Sequence, residues 1–309
     1  MSDVAVVLVS HGTVDDLDDL SAFVTNVRRG RPAPAELIAE LRRRYEAIGG
    51  SPLNRINEAL AGKLAVRLGV PVVSANRLWR PFVRDVFAGL VARGIPRVVL
   101  APLAQHSTHV YAEDAKRAAA EAGVDLACVP AWGGRADLTA AFAGRIAGAL
   151  AASPDAARTT LVMTAHSLPQ SVIDAGDPYE RDVRASAAAV ALAVRVRIGR
   201  EVPTRVAFQS QGMAGPAPVQ WLGPDLRATL DAVAKEGAAR VVFAPIGFLA
   251  DHVEVLYDLD VEARALAGER GMGYARAPSL NADDDFVGVL AEICRPLLGP
   301  AYAAPASHG

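Results

Sequence analysis

Hydrophobic and polar positions along the chain follow two periods in alternation. Short β-branched runs read as strands at Val4 to Val9, Val70 to Ala75, Arg97 to Ala101, Asp125 to Pro130, Thr159 to Thr164, Thr204 to Gln209 and Arg240 to Pro245. Between them lie longer, alanine-rich stretches of helical period: Pro34 to Ile48, Arg55 to Leu68, Pro81 to Arg93, Val110 to Ala122, Ala136 to Ala151, Tyr179 to Arg197 and Asp225 to Glu236. This order predicts an α/β fold, a mostly parallel sheet covered by helices on both faces.

The pattern also echoes itself. The segment "AASPDAART", Ala151 to Thr159, places Pro154 between a helix and a new strand and reads as a linker. It divides the chain into expected domains at 1–152 and 153–300, followed by a tail, 301–309, expected to be disordered. "VVLVSHGT", with His11, matches "TLVMTAHSLP", with His166. "RVVLAPLAQHSTHV" matches "RVVFAPIGFLADHV", with Val98 and Val241, and His109 and His252, each 143 positions apart. Two landmarks in the same order point to duplication of a βαβ-rich unit. His11, His109, His166, His252 and Glu254 all fall just past strand ends, where open parallel sheets bind ligands, so they are expected to converge on a cleft between the halves.

Composition narrows the function. The 309 residues are 51% hydrophobic and 21% charged, enough to bury a large core. A net charge of −2 offers no field for nucleic acid or an anionic membrane, and no nucleic-acid motif is present. Lysine occurs only at 63, 116 and 235, so cationic sites are built from arginine forks. Cys128 and Cys294 sit in separate apolar settings and read as packing residues in a reducing compartment. Two thiols cannot hold an iron–sulfur cluster alone, since that needs four. The N-terminus lacks a basic leader and the uncharged run Ala185 to Val194 is too short to span a bilayer, so the expectation is a cytoplasmic protein with at most peripheral membrane contact.

The segment "FLADHVEVLYDLD" concentrates candidate chemistry. It sets His252 among Asp251, Glu254, Asp258 and Asp260, with almost no counter-charge nearby. Glu254, Asp258 and Glu262 have i, i+4, i+8 spacing, which lines one face of a helix. Such a row of oxygens suits the passage of a divalent cation or of protons toward an imidazole; a solvated helix face accounts for Asp258 and Glu262 equally well.

Several motifs, in order, resemble one family. "TAHSLP" with His166, "GDPYERD", "QSQG" with "WLGPDL", and "PIGFLADHVEVLYDLD" are similar to ferrochelatase segments, as are "SHGTVDDLDDLSAFVTNVRRGR", "RRRYEAIGGSPL" and "LWRPF" in the first half. The wording of "QSQG" and "RYEAIGG" is more similar to the soluble bacterial branch acting on coproporphyrin III than to the protoporphyrin IX enzymes. The resemblance implies a chelatase-like fold of two similar Rossmann-like, doubly wound domains with a cleft between them, and an enzyme of haem biosynthesis that inserts Fe²⁺ into a porphyrin bound there, with iron as a substrate and no prosthetic group. It implies His166 as the acceptor of pyrrole protons, paired with Glu254, and both as metal donors, while the acidic spacing adds Asp258 and Glu262 as an outer metal site or relay. His11 departs from the family, where tyrosine is common in this turn, and is expected to ligate product iron because imidazole is the better ferrous donor. Gln211 and Phe208 depart as well, from Glu-like and Trp-like positions. Arg28, Arg29 and Arg31, with Arg44, Tyr45 and Ser51, are the expected propionate partners, and Trp79, Phe82 and Trp221 offer flat contact to a macrocycle. For His109 and His252 packing is the expected role. A monomer is expected, with a dimer as the alternative.

Two rivals belong to other classes. "LVSHGT" is similar to the strand–His–Gly signature of sirohydrochlorin chelatases loading cobalt, nickel or iron, although "GDPY" and "DHVEVLYD" are foreign to them. The other rival is a non-catalytic tetrapyrrole carrier that retains the pocket.

Overall fold

A computed structural model describes residues 2–152, 158–211 and 219–300. The centre of the Pro154 linker and the tail 301–309 lie outside the described residues. The chain forms two compact units: one holds residues up to Trp132 and again from Asn281 onward, the other Gly133–Leu280.

In the first unit the strands β1 (Val4–Ser10), β2 (Val72–Asn76), β3 (Arg97–Pro102) and β4 (Asp125–Cys128) form a parallel sheet in the order β2-β1-β3-β4. All seven residues of β1 are buried, which requires cover on both faces. On one face Ala5, Val7 and Val9 pack with Phe87, Leu90, Ala115 and Ala119, contributed by α4 (Val83–Ala92) and α5 (Thr108–Ala122). The unit also contains α1 (Leu20–Val27), α2 (Ala35–Ala47) and α3 (Leu53–Leu68).

The second unit opens with α6 (Ala136–Ala151). It then holds β5 (Thr159–His166), α7 (Gln170–Asp174), α8 (Tyr179–Ile198), β6 (Thr204–Gln209), α9 (Leu226–Lys235) and β7 (Arg240–Ala244). A continuous helical stretch follows: α10 (Val253–Val255), a π-helix over Leu256–Ala263, and α11 (Arg264–Glu269), before β8 (Gly273–Arg276). Its parallel sheet has the order β6-β5-β7-β8, strand for strand the order of the first sheet. This identity of topology is what the paired landmarks in the sequence anticipate. The apolar run of β5 is buried from Thr159 to Ala165, and the burial ends at His166.

The division between the units differs from the expected one at residue 152. The small-residue face of α6 packs on α8, so α6 belongs to the second unit. The last helix, α12 (Asp284–Leu298), packs on α3 and β3 and so returns to the first. Cys294 is buried in α12, where burial pushes its thiol up to about 12. Burial also raises Cys128, with Lys116 opposing, so both behave as the packing thiols expected. Among the described residues, no helix is long and apolar enough to cross a membrane.

Candidate active site

The carboxyl end of β5 presents His166. Its Nδ1 lies against the carbonyl oxygen of Ser167, and a carbonyl only accepts, so Nδ1 carries a hydrogen and donates it. The neutral ring therefore has its lone pair on Nε2, which faces Glu254 Oε1 at 3.5 Å. The two side chains are 36% and 32% exposed, so a substrate can reach both. The backbone under the imidazole is fixed from several directions. Tyr179, from the "GDPY" segment, donates its hydroxyl to the His166 carbonyl at 2.9 Å, and its amide is capped by Asp177 Oδ1. Ser167 donates its amide to the Gln209 carbonyl at 2.7 Å and its hydroxyl to the Leu222 carbonyl at 2.7 Å.

Glu254 reaches this position because the turn after β7 closes directly onto β5. Gly247 donates its amide to the Thr164 carbonyl at 2.9 Å. A Cβ on Gly247 would lie 2.4 Å from Ala165 Cβ and 2.5 Å from Ala165 Cα, so no larger residue fits without moving the strand. Gly247→Ala is expected to destabilise the protein by about 1–3 kcal/mol in urea unfolding, through overpacking next to His166. A loss below about 0.5 kcal/mol would mean that the turn can retreat at little cost.

Beyond that turn the chain forms a cage of side-chain hydrogen bonds. His252 Nδ1 accepts from the Glu254 amide at 3.3 Å, so its Nε2 bears the hydrogen, and its ring packs on Phe248 with centroids 5.2 Å apart. The ring thus packs, as expected of it, and its Nδ1 also caps the start of α10. Gln209 Nε2 donates to the Glu254 carbonyl at 2.9 Å, in competition with the amide that would close an ordinary α-turn there. The helix widens to π winding from Leu256 onward. Asp258 is only 2% exposed and accepts from Ser210 Oγ at 2.6 Å and from Gln209 Nε2 at 3.4 Å. Ser210 adopts a left-handed φ of 63° to make this contact.

Charge follows geometry. Burial drives the His166 pKa down, but the Glu254 carboxylate, the Ser167 carbonyl and the Asp258 carboxylate together outweigh it and hold the ring at about 9. His252 moves the other way: burial lowers it, His166 adds to that, and the pull of Glu254 and Asp251 is too weak to reverse it. One imidazole of the pair is thus a strong proton holder and its neighbour stays neutral.

Along the expected acidic row the environments differ: Asp258 is buried beneath Ser210 and Gln209, whereas Glu262 is exposed, on a stretch wound as a π-helix. Among the described residues no group of three or more His, Cys, Asp or Glu side chains is gathered as a ready metal cage. Trp221 is half-buried and forms a bridge to Pro169 in the loop after β5.

The remaining sequence candidates lie in the first unit. His11 is exposed after β1, edge-on to Phe23 with centroids 6.4 Å apart, and Phe23 in turn meets Trp79. Gly12 has φ of 106° and space for a Cβ only 3.0 Å from Trp79 Cβ, which is why this turn requires glycine. His109 is exposed in the first turn of α5, so the packing role expected for it does not hold. Arg29 and Arg31 are exposed after α1, and Arg28 is half-buried with its Nε lacking a hydrogen-bond partner among the described residues. Ser51 Oγ is likewise buried without such a partner. Arg44 pairs with Glu40 at 2.8 Å. Tyr45 is 2% exposed and shares its hydroxyl with Thr13 at 2.8 Å, so it does not present that hydroxyl to a carboxylate outside.

The sequence profile of the ferrochelatase family matches residues 3–297. The chain belongs to the ferrochelatase family. It is 34% identical over 323 aligned residues to a ferrochelatase of Acidobacterium capsulatum, covering 98% of this chain and 97% of that one. It is 37% identical to a coproporphyrin III ferrochelatase of Mycobacterium ulcerans, covering 91% and 83%. Among solved structures, SirB from Bacillus subtilis with Fe³⁺ superposes with a TM-score of 0.60 at 14% identity, covering 97% of each chain, a likeness of fold. Ferrochelatase membership makes this chain a metal chelatase, and the match runs through both units.

Within the ferrochelatase frame, four contributors to the site carry no role that the sequence alone assigns: Tyr179, Gln209, Ser210 and Arg276. The first three sit inside family-like motifs, so the motif marks their importance and only the fold reveals what each hydrogen bond holds. Arg276 Nη1 donates to Asp251 at 3.0 Å and its Nε to Asp260 at 2.9 Å, adding a buried counter-charge to the longer, exposed ion pair of Arg264 with Asp260 at 3.9 Å.

Proposed function

We propose that this protein inserts ferrous iron into a porphyrin, with coproporphyrin III as the favoured substrate, in haem biosynthesis. The observation that carries this reading is the His166–Glu254 pair: an imidazole whose Nδ1 is committed to a carbonyl, so that only Nε2 faces a carboxylate and an accessible space. Insertion exchanges one Fe²⁺ for two pyrrole protons. His166 Nε2 accepts the two pyrrole protons one after the other, releasing the first past Glu254 to water before it takes the second, and Glu254 compensates the imidazolium formed each time. A cation meeting Glu254 neutralises the carboxylate that holds a proton on His166, which frees Nε2 as the metal arrives. Holding base, metal and ring in one place replaces a multi-body encounter with a pre-oriented one.

In the first unit the same reading gives Arg28 and Ser51 to porphyrin propionates, because each has a buried polar atom without a partner among the described residues. Arg29 and Arg31 add exposed guanidinium groups beside Arg28. His11, exposed after β1, is assigned to the axial position of product iron. Asp258 lends negative charge to His166 from its buried position, and Glu262 belongs to the outer path of the metal. With iron as a substrate, the reaction calls for no resident cofactor, and the two packing thiols fit a reducing cytoplasm.

Anaerobic incubation with Fe²⁺ and either coproporphyrin III or protoporphyrin IX tests the reading. Metallation is expected with both rings supplied separately, faster with coproporphyrin III, followed by the change in visible absorption. Metallation of neither ring would overturn it and leave the sirohydrochlorin chelatase or the carrier.

A further inference from the structure

The acidic loop is held at both of its ends by one side chain. Arg276, the last residue of β8, directs Nε and Nη2 to the carboxylate of Asp260 at 2.9 Å each and Nη1 to Asp251 Oδ1 at 3.0 Å. Asp251 accepts a second bond, from Ser279 Oγ at 2.7 Å. The three charged side chains are 13%, 27% and 18% exposed for Arg276, Asp260 and Asp251, so the contacts are largely shielded from water and salt. Asp251 precedes Glu254 by three residues and Asp260 follows it by six. Arg276 is itself anchored, because it pairs with Phe243 in the β7–β8 ladder and Ala277 donates to the Phe243 carbonyl at 2.7 Å.

We propose that Arg276 is a positioning residue for Glu254, clamping the chain on both sides of it so that the carboxylate stays opposite His166. The chemical meaning of this clamp rests on the metal-insertion reading above. A planar fork with fixed donors can hold two carboxylates at once and define the angle between them. A lysine ammonium is a point charge without that fork, so it keeps the charge and loses the geometry. Without Arg276 the exposed Arg264, 3.9 Å from Asp260, is a weak screen, so Asp251 and Asp260 repel each other and the intervening turn is the part of the chain free to respond. The 3.5 Å separation between His166 Nε2 and Glu254 Oε1 is therefore set in part by a residue that touches neither.

Two variants test this: R276K, which keeps a positive charge, and D260N, which weakens the clamp on the π-helical side and avoids leaving two carboxylates uncompensated. Each is crystallised, and each is assayed anaerobically with Fe²⁺ and coproporphyrin III, with porphyrin affinity read separately by fluorescence quenching. The expected result is kcat lowered by about 10- to 100-fold, porphyrin affinity within about threefold of wild type, and Glu254 displaced or split between rotamers in the crystal. A folded variant whose Glu254 stays at its wild-type distance from His166, or whose kcat stays within about twofold, overturns the clamp. Should the wild-type protein metallate no porphyrin, the function reading falls and the crystallographic comparison alone decides the positioning role.

Discussion

His166→Ala is expected to abolish iron insertion while porphyrin still binds within about threefold of the wild-type affinity. In the proposed mechanism the imidazole contributes a proton acceptor to the chemical step, an effect of about 10²- to 10⁴-fold, and its backbone supports, not its ring, hold the surrounding fold. Those supports survive the substitution: the Tyr179 hydroxyl binds the residue-166 carbonyl, which alanine retains, and the Ser167 amide binds the Gln209 carbonyl, which the substitution does not touch. Single-turnover insertion under anaerobic conditions, beside fluorescence titration of the porphyrin, separates the two quantities. Near-normal turnover in this variant would assign the base elsewhere, and lost porphyrin binding would give His166 a role in substrate capture.

Glu254→Gln is expected to move the pH dependence of kcat/KM toward acid. With His166 as the proposed proton acceptor, insertion needs its neutral form, so the rate of the free enzyme is expected to rise as pH passes through the His166 pKa, about 9 in the wild type. Burial alone would place that pKa below the ordinary 6.5, and Glu254 is the foremost of the groups that lift it. Glutamine keeps the shape and removes the charge, so the ascending limb moves from about 9 toward 6.5, while the maximal rate falls because the imidazolium loses its counter-ion. Initial rates between about pH 6 and 10 provide the check, since moving the limb by about one pH unit changes the fraction of neutral imidazole on its acid side about tenfold. A limb that stays near 9 would show that some other group holds the proton on His166.

The parts of this molecule that could be read in advance are those set by local pattern. Uninterrupted apolar runs such as Val4 to Val9 revealed strands covered on both faces, and the matched histidine-bearing strand ends revealed a repeated unit whose two sheets share one strand order. Gly273–Arg276 escaped because an edge strand of four half-buried residues, two of them Gly and Ala, carries no apolar run. The winding of the acidic helix was not legible, for a different reason. Spacing of i, i+4, i+8 assumes uniform winding, and the Gln209 amide on the Glu254 carbonyl, a contact 45 residues distant in sequence, alters the winding where it matters. Arg276 was invisible in the same way: nothing near it in sequence is acidic, and its two partners lie 16 and 25 positions away. Chemistry built from neighbours in sequence is open to inspection, whereas geometry imposed by side chains from other strands is not.

The bond between the His166 ring and the Ser167 carbonyl limits the traffic that the imidazole can handle. A histidine with both nitrogens open works as a conduit, loading on one side and discharging on the other. Here one side is sealed by the chain's own backbone, which leaves the ring a dead end with a single door. Whatever enters at Nε2 has to depart through the same opening, past Glu254 and out to water, before the next exchange begins.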